Sequence, residues 1–422
     1  MKTISDKILY LITEHFPNPY KPWVDTQIAG LIDLGTDVSI YAFGGWTTVL
    51  NDVVAEYELR SRTRYLPGTT TALLNSPGKV LRKLVEAPLL SARRLAIANR
   101  EAGSIRSRPA FLARALMLPS QPPDAILVHD LIPASRVRFL RKVFPKTRLC
   151  LSYNGGEVAN MGRVSDSASV FAGFDLVLAL SEFARQDAIR RGAPGERVQV
   201  LPLGFDLSRF RSDAGRQYRS GGFLRLVSVG RLSPEKGIAY ALKALQILKA
   251  NGHSNIRYSI VGNGIEMQAL KRESSELGIL DMVSFVGEQP SQLVPSILAE
   301  SDALLLPSLV TDTWAETQAT VVQEALLMGC LTVTTPTGAL CETNAPEMHR
   351  FFFPPADGAA LAATIETLLC LSSEEWNRLG AAGRDFARRT FDARRTVSDL
   401  YEHLFSHDSI DSSFSTDAQA SH

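Results

Sequence analysis

The chain has 422 residues, 45% of them hydrophobic, and its 45 lysines and arginines balance 44 aspartates and glutamates. This composition excludes general disorder, and a net charge of +1 with 8% aromatic residues gives no support to nucleic-acid binding. Because one core seldom grows beyond roughly 250 residues, the length favours two domains, with a cleft between them.

The amino-terminal segment and the cysteines bear on the compartment. The first apolar run, 8–12, is too short for a signal peptide or a membrane span. The four cysteines show neither a CxxC pair nor a zinc spacing. These features predict a cytoplasmic protein with reduced cysteines.

Short β-branched segments alternate with helical patterns along the chain, which predicts parallel sheets covered on both faces. We therefore expect an α/β protein with two Rossmann-like, doubly wound domains at 1–206 and 223–392. The polar stretch 207–222 is the expected linker, and a helix at 393–405 is expected to return to the first domain. The Ser- and Asp-rich tail, 406–422, predicts disorder. The predicted strands are 8–12, 38–42, 125–129, 149–153, 176–180, 198–201, 224–229, 258–261, 283–286, 303–306 and 331–334.

The segment 79–114 has an excess of positive charge, because it contains nine lysines and arginines and two glutamates. Leucines, isoleucine and valine are interleaved with these cations, a pattern typical of amphipathic helices. Such a segment could bind an anionic membrane surface peripherally. The alternative is a solvated helical insertion whose apolar stripe packs on its own domain.

The segment Gly230–Gly237 lies between a predicted strand and a predicted helix. Gly230 allows a tight turn, and Arg231 and Lys236 place two cations beside it, which suits a bound diphosphate. The alternative is an ordinary loop with surface charges. The later Gly262-Asn263-Gly264 turn resembles a dinucleotide-binding motif weakly, because Met267 takes the third glycine position.

The run 315–329 predicts a helix that carries two glutamates. Glu324 lies among apolar residues, so its carboxylate needs a polar partner such as a hydroxyl-rich ligand. Glu316 lies eight residues earlier, and the amides of Gln318 and Ala319 would lie at the helix N-terminus. The alternative is one helix-capping glutamate and one internally paired glutamate.

Together these motifs resemble the nucleotide-sugar domain of the retaining glycosyltransferases of family 4, which have the GT-B fold. The resemblance covers the second half of the chain in the correct order and the first half more loosely. It rests on Gly-Arg-x-x-x-Glu-Lys-Gly at 230–237, Val-Gly-x-Gly at 261–264, Phe-Val-Gly at 285–287, Pro-Ser at 307–308, Glu-x7-Glu at 316 and 324, and Gly-x-x-x-Glu at 338–342.

The resemblance implies roles for the motif residues. Arg231 and Lys236 would neutralise the donor diphosphate, Glu324 would bind the ribose hydroxyls, and Glu316 would hold the transferred sugar. Preorganised cations would stabilise the charge that develops on the leaving diphosphate, so no metal or other cofactor is expected. The chain also lacks the DxD metal motif. The other expected donor-binding residues are Gly230, Gly264, Val286, Gly287, Thr317, Gln318 and Ala319.

Acceptor recognition is expected in the first domain, at Lys21, His129, Asn154 and Gly155. This part departs most from the family. Asn154 takes the place of a histidine, and the stretch around Lys21 replaces a Gly-Gly turn. In the second domain, Thr317-Gln318-Ala319 replace the glycines that commonly follow the first glutamate of the pair.

The expected function is therefore transfer of a sugar from a nucleotide-sugar donor to a glycan acceptor. Similar bacterial enzymes favour a lipid-linked acceptor in exopolysaccharide or lipopolysaccharide assembly, at the inner face of the cytoplasmic membrane. One alternative is a soluble acceptor such as an antibiotic aglycone. Others are a sugar-nucleotide epimerase with the same fold and a non-catalytic sugar-binding module.

Overall fold

A computed structural model describes residues 7–18, 21–45, 52–69, 85, 87–102, 108–155, 166–210, 218, 222–312 and 314–406. These residues form two α/β domains, each built on a parallel sheet, which confirms the predicted fold class. Much of the linker at 207–222, part of the basic segment and nearly all of the tail lie outside the described residues.

The first domain contains a seven-stranded sheet of order β3-β2-β1-β4-β5-β6-β7. Its central strands are almost wholly buried, because helices cover both faces. The edge strand β3 was not predicted, since its three residues are mostly exposed and carry no apolar run. The strands are β1 (Lys7–His15), β2 (Thr36–Gly44), β3 (Thr63–Tyr65), β4 (Ala125–His129), β5 (Arg148–Tyr153), β6 (Leu176–Ala179) and β7 (Val198–Val200). The helices are α1 (Pro22–Asp33), α2 (Asp52–Glu56), α3 (Pro88–Glu101), α4 (Arg108–Met117), α5 (Leu131–Arg136), α6 (Leu140–Val143), α7 (Ser167–Ala172) and α8 (Glu182–Arg190).

The second domain contains a five-stranded sheet of order β10-β9-β8-β11-β12. Its strands are β8 (Leu224–Val229), β9 (Ile256–Val261), β10 (Val283–Gly287), β11 (Ala303–Leu306) and β12 (Leu331–Thr334). Its helices are α9 (Ile238–Ala250), α10 (Met267–Glu276), α11 (Val294–Glu300), α12 (Thr320–Leu327), α13 (Leu340–Thr343), α14 (Gly358–Leu369) and α15 (Ser373–Thr390). In both sheets the strand order reverses beside the first strand of the domain. Ligands of open α/β sheets bind in the crevice at such a reversal.

The chain passes between the domains twice, and the two passages lie side by side. Phe205 donates its N–H to the carbonyl of Phe391 at 2.8 Å, and Ala393 donates to the carbonyl of Phe205 at 3.0 Å. The final helix, α16 (Ala393–Phe405), then packs against α1 of the first domain. Leu400 and Leu404 of this helix are buried in the first domain's core.

Within the described residues, no helix is both long enough and apolar enough to cross a bilayer. The sequence prediction of disorder at 406–422 falls almost entirely on residues outside the described set.

Candidate active site

The loops at the carboxyl ends of the second sheet are joined by short backbone contacts. Gly230 donates to the carbonyl of Val261 at 2.9 Å, and Gly262 donates to the carbonyl of Gly287 at 2.8 Å. Gly230 has φ +149°, and a Cβ added there would meet no atom within 4 Å. The strand-end glycine therefore leaves open space before the backbone, which is what a bound phosphate requires.

Other predicted donor residues line the same edge. A Cβ on Gly264 would lie 2.1 Å from the carbonyl oxygen of Leu232, so the loops approach too closely for a side chain there. Gly287 has φ +81° with open space before it. Val286, beside Gly287, is 43% exposed, so its side chain is accessible for an apolar contact with a flat base.

Lys236 and Glu316 form an ion pair at the centre of this edge. The Lys236 Nζ donates to Glu316 Oε1 at 2.7 Å, and Ser308 Oγ donates to the same oxygen at 2.9 Å. The ammonium also lies 4.7 Å from the ring centroid of Trp314. The side chain of Glu316 is 8% exposed. A cation suited to phosphate and a carboxylate suited to accept from hydroxyl groups thus lie within one hydrogen bond of each other.

The structure corrects the position of Glu316. The sequence indicated a helix from Ala315, but α12 begins at Thr320, and Glu316 lies in the preceding loop. Its backbone carbonyl accepts a hydrogen bond from Ala339 at 2.8 Å. Tertiary contacts therefore override the helical preference of this stretch.

Glu324 lies on α12 and lines an open crevice between the domains. Trp23 of the first domain and Arg209 of the domain connection line the same crevice. Burial raises the pKa of Glu324 to about 7, and the positive charge of Arg209 partly opposes that shift. A carboxylate in this position gains from hydroxyl donors, as a ribose would provide.

Arg231 is more peripheral than Lys236. Its side chain is 64% exposed, and its guanidinium donates to Glu235 at 3.0 Å. Desolvation acts to raise the pKa of Glu235, but hydrogen bonds from Ser233 and the backbone and the charges of Arg231 and Lys236 together outweigh it, so the pKa is lowered. Arg231 thus lies at the mouth of the site, and a diphosphate would have to compete with Glu235 for it.

The first domain contributes a polar cluster at the ends of β4 and β5. Lys21 Nζ donates to Asp130 Oδ2 at 2.5 Å, and His129 packs beside Trp23 with ring centroids 5.3 Å apart. His129 is fully buried, and burial lowers its pKa to about 4, so the imidazole is neutral at physiological pH. Asp130 has φ +74°, a conformation that is costly for a side chain of this kind.

Several buried polar atoms of this cluster lack a hydrogen-bond partner among the described residues. They are both ring nitrogens of His129, Oδ1 of Asp130 and Nδ2 of Asn154. Unpaired buried polar atoms are destabilising, so their concentration here points to a polar ligand. Asp130 was not predicted as a functional residue; its place directly after a strand end, next to His129, was the available signal.

Residues 154–155 connect this polar cluster to the second domain through contacts with Thr317. Thr317 Oγ1 donates to the carbonyl of Asn154 at 2.5 Å. Gly155 has φ +64°, and a Cβ there would lie 2.5 Å from the Thr317 methyl group. The Gln318 amide accepts from the N–H of Leu203 at 2.9 Å and donates to its carbonyl at 3.2 Å. The side chains of Thr317 and Gln318 therefore face the first domain, which leaves their backbone for any contact with the donor.

Two cations of the basic segment 79–114 are buried and stabilise the fold. Arg94 is 4% exposed and donates to the carbonyls of Leu118 and Pro119, both at 2.6 Å. Arg114 is equally buried and donates to the carbonyls of Pro67 and Gly68 at 2.8 and 2.7 Å. These two cations cannot reach a membrane without unfolding the insertion, whereas Arg93 and Arg100 are exposed.

Two Rossmann-like domains, one with a cation–carboxylate pair and one with a polar cluster, have the architecture of a glycosyltransferase of the GT-B class. Comparisons with known proteins agree. Residues 216–386 match the family described as glycosyl transferases group 1. The match spans most of the second domain, and the chain is a glycosyltransferase.

Relatives named for polysaccharide biosynthesis match most of the chain. The amylovoran biosynthesis glycosyltransferase AmsK of Erwinia amylovora is 27% identical over 376 residues, which are 85% of this chain and 89% of AmsK. WcaL of Salmonella typhimurium, whose name assigns it to colanic acid biosynthesis, is also 27% identical. The match covers 83% of this chain and 87% of the length of WcaL. Among solved structures, Anabaena HepE in complex with UDP and glucose has a TM-score of 0.68 at 17% identity, covering 95% of this chain and all of HepE. This last likeness shows the fold.

Proposed function

We propose that the chain is a retaining glycosyltransferase that transfers a sugar from a nucleotide-sugar donor to a glycan acceptor in exopolysaccharide assembly. The observation that carries the proposal is the Lys236–Glu316 pair with Ser308 in the second domain, together with the unpartnered polar atoms of His129, Asp130 and Asn154 in the first. Thr317, next to Glu316, links the two groups through its hydrogen bond to the carbonyl of Asn154. The similarity to AmsK and WcaL over most of the chain supports the polysaccharide assignment.

In this proposal the donor lies along the carboxyl edge of the second sheet. Glu324 binds the ribose hydroxyls, and Lys236 and Arg231 contact the diphosphate. Glu316 accepts hydrogen bonds from the transferred sugar. As the glycosyl–phosphate bond breaks, negative charge grows on the leaving diphosphate, and Lys236 stabilises it because it is already in place.

The same arrangement supports a metal-independent reaction. The cations of Lys236 and Arg231 can supply the positive charge that a divalent ion would otherwise provide. Transfer should therefore persist in excess EDTA. Loss of activity with EDTA and recovery with Mg²⁺ or Mn²⁺ would refute this part of the proposal.

We further propose a lipid-linked acceptor at the inner face of the cytoplasmic membrane. The exposed cations Arg93 and Arg100 lie on α3, where Leu89 is 87% exposed. Exposed cations beside an exposed leucine suit peripheral contact with an anionic lipid surface.

The proposal is tested in two stages. A set of UDP-, GDP- and dTDP-sugars is screened for thermal stabilisation, because a ligand of the native state raises the melting temperature. The stabilising donor is then incubated with lipid-linked glycan, and the anomeric configuration of the product is determined by NMR. Retention of configuration supports the proposal; inversion refutes the retaining assignment.

Two controls separate the alternatives. The nucleotide sugar incubated without acceptor should stay unchanged or hydrolyse slowly, whereas an isomerised nucleotide sugar would identify an epimerase. E316Q should lose transfer, while E347Q, which alters an exposed glutamate of the same domain, should not. Equal transfer by E316Q and wild type would remove Glu316 from the site.

A further inference from the structure

Helix α8 of the first domain receives part of its N-terminal cap from the second domain. Its own cap, Ser181, accepts the N–H of Ala184 at 3.2 Å. The N–H groups of Glu182 and Phe183 instead donate to the two carboxylate oxygens of Glu342, at 2.6 and 2.7 Å. Glu342 therefore satisfies two helix donors that would otherwise lack a protein partner.

The charge of Glu342 suits this position. A carboxylate is stabilised at the positive end of a helix dipole. The neighbouring carboxylate of Glu182 is turned away, because it accepts from Arg185 at 2.8 Å and from Gln186 at 2.6 Å. Repulsion between the two glutamates is thereby reduced.

A second contact across the cleft lies beside the candidate catalytic glutamate. Thr317 donates to the carbonyl of Asn154, one residue after Glu316. The carbonyl of Glu316 in turn accepts from Ala339, in the turn that leads into α13 and Glu342. Glu316 is thus held between two side chains that both bind the first domain's backbone.

We propose that Thr317 and Glu342 are positioning residues that hold the donor half of the active site in register with the acceptor half. In this proposal the side chain of neither residue contacts the reacting atoms. Thr317 fixes Glu316 against the Asn154 loop, and Glu342 fixes the α13 turn against α8. We call these contacts the interdomain clasp. This inference rests on the proposed glycosyl transfer, but the clasp itself can be tested without activity.

The clasp predicts a separation between nucleotide binding and transfer. Lys236, Glu316 and Glu324 all lie in the second domain, so clasp variants should bind the nucleotide as wild type does. Transfer needs both domains and should fall. We expect E342A to lower kcat for transfer about tenfold, since two exposed charge-assisted hydrogen bonds are lost.

Two further variants keep the side-chain shape. In E342Q one oxygen still accepts a hydrogen bond, but the amide NH2 group cannot accept from the second N–H. The kcat of E342Q for transfer should therefore lie between the values of wild type and E342A. T317V removes the hydroxyl and should also lower kcat. E347A is the matched control, because Glu347 is an exposed glutamate of the same domain.

Three measurements decide the proposal. UDP affinity by calorimetry, with GDP as the second probe, should be unchanged in all variants. Small-angle scattering should show a larger radius of gyration for E342A and T317V than for wild type and E347A. Steady-state kinetics should show a fall in kcat for transfer with little change in the KM for the donor.

Other results would overturn the proposed positioning role of Thr317 and Glu342. A radius of gyration and a kcat that stay at the wild-type values in E342A would show that the clasp has no positioning role. A parallel loss of UDP affinity would show that Thr317 or Glu342 acts on the donor instead. If wild-type protein transfers no sugar, the proposed function fails, and the scattering comparison still decides whether the clasp holds the domains together.

Discussion

Glu324, the proposed ribose-binding residue, lies in an unfavourable environment for a charge. Burial raises its pKa to about 7, against 4.5 for an ordinary glutamate, and Arg209 offsets part of this effect. Ribose hydroxyls donate to the ionised form and would stabilise it. Nucleotide binding should therefore release a proton and strengthen as the pH rises through 7.

The variant E324Q tests this assignment. A group whose pKa is raised in the folded state contributes stability below the unfolded value, and that stability is lost as the pH rises through the folded value. The wild-type free energy of unfolding should thus fall between pH 4.5 and 7, and E324Q should lack this fall. At pH 8, E324Q should be more stable by about 3 kcal/mol and should bind nucleotide at least about tenfold more weakly.

Urea unfolding at several pH values and calorimetric titration with UDP measure both effects. E266Q serves as the control, because it alters another glutamate of the same domain outside the crevice. A nucleotide affinity that is the same in E324Q and wild type would refute the assignment of Glu324 to the ribose hydroxyls.

The pair of Lys236 and Glu316 allows structural and chemical roles to be separated. K236A should lower the free energy of unfolding by about 3 kcal/mol, because it leaves the buried carboxylate of Glu316 without its cation. The double variant K236A/E316Q should recover most of that stability and remain inactive, since the cation proposed to bind the diphosphate is still missing. K249A, which breaks an exposed pair with Asp281, should change stability by less than about 1 kcal/mol.

Chemical unfolding and transfer assays on these variants settle the point. Recovery of activity together with stability in K236A/E316Q would mean that Lys236 serves only to neutralise Glu316. K236A should also reduce turnover more than it reduces binding of a nucleoside monophosphate. Equal effects on both would refute the diphosphate contact.

At the scale of elements, periodicity predicted the strands well and the start of α12 badly. Buried parallel strands read as continuous apolar runs, so β4, β8, β11 and β12 occur at the predicted bounds. The stretch before α12 has helix-compatible composition, yet Glu316 and Thr317 bind partners far away in sequence. Local patterns carry no information about such partners.

Helix α3 illustrates the same limit, because its cations look alike in sequence and differ in the structure. R94A should lower the free energy of unfolding by about 2–4 kcal/mol, since Arg94 binds backbone carbonyls from a buried position. R93E/R100E should leave stability nearly unchanged, because both side chains are exposed.

The proposed membrane contact predicts a different pattern for the same variants. R93E/R100E should reduce co-sedimentation with vesicles of anionic phospholipid several-fold and leave sedimentation with neutral vesicles unaffected. Anionic-vesicle binding that is unchanged by the double substitution would exclude this face of α3 as the contact.

At the scale of the whole molecule, motif order predicted two domains and a donor-binding second half. The interdomain contacts could not be predicted, because each joins one side chain to a backbone group more than a hundred residues away. Backbone donors and acceptors leave no signature in residue type. Thr317 and Gln318 could be recognised as departures from the family pattern, and the structure gives their side chains a role in joining the domains.

The crossing of α16 onto the first domain predicts how the two halves share stability. Leu400 belongs to the sequence beyond the second domain, yet it is 1% exposed within the first domain's core. L400A should destabilise the first domain by about 2–5 kcal/mol, because it opens a cavity there. L361A, which creates a similar cavity in the second core, should destabilise the donor domain instead.

Nucleotide binding distinguishes these two variants. In differential scanning calorimetry, UDP should still raise the melting temperature of the donor domain in L400A, because the proposed donor residues lie outside the damaged core. L361A should lower both the donor-domain transition and the UDP affinity. If L400A weakens UDP binding as much as L361A does, the domains form one cooperative unit, and α16 stabilises the donor site as well as the first domain.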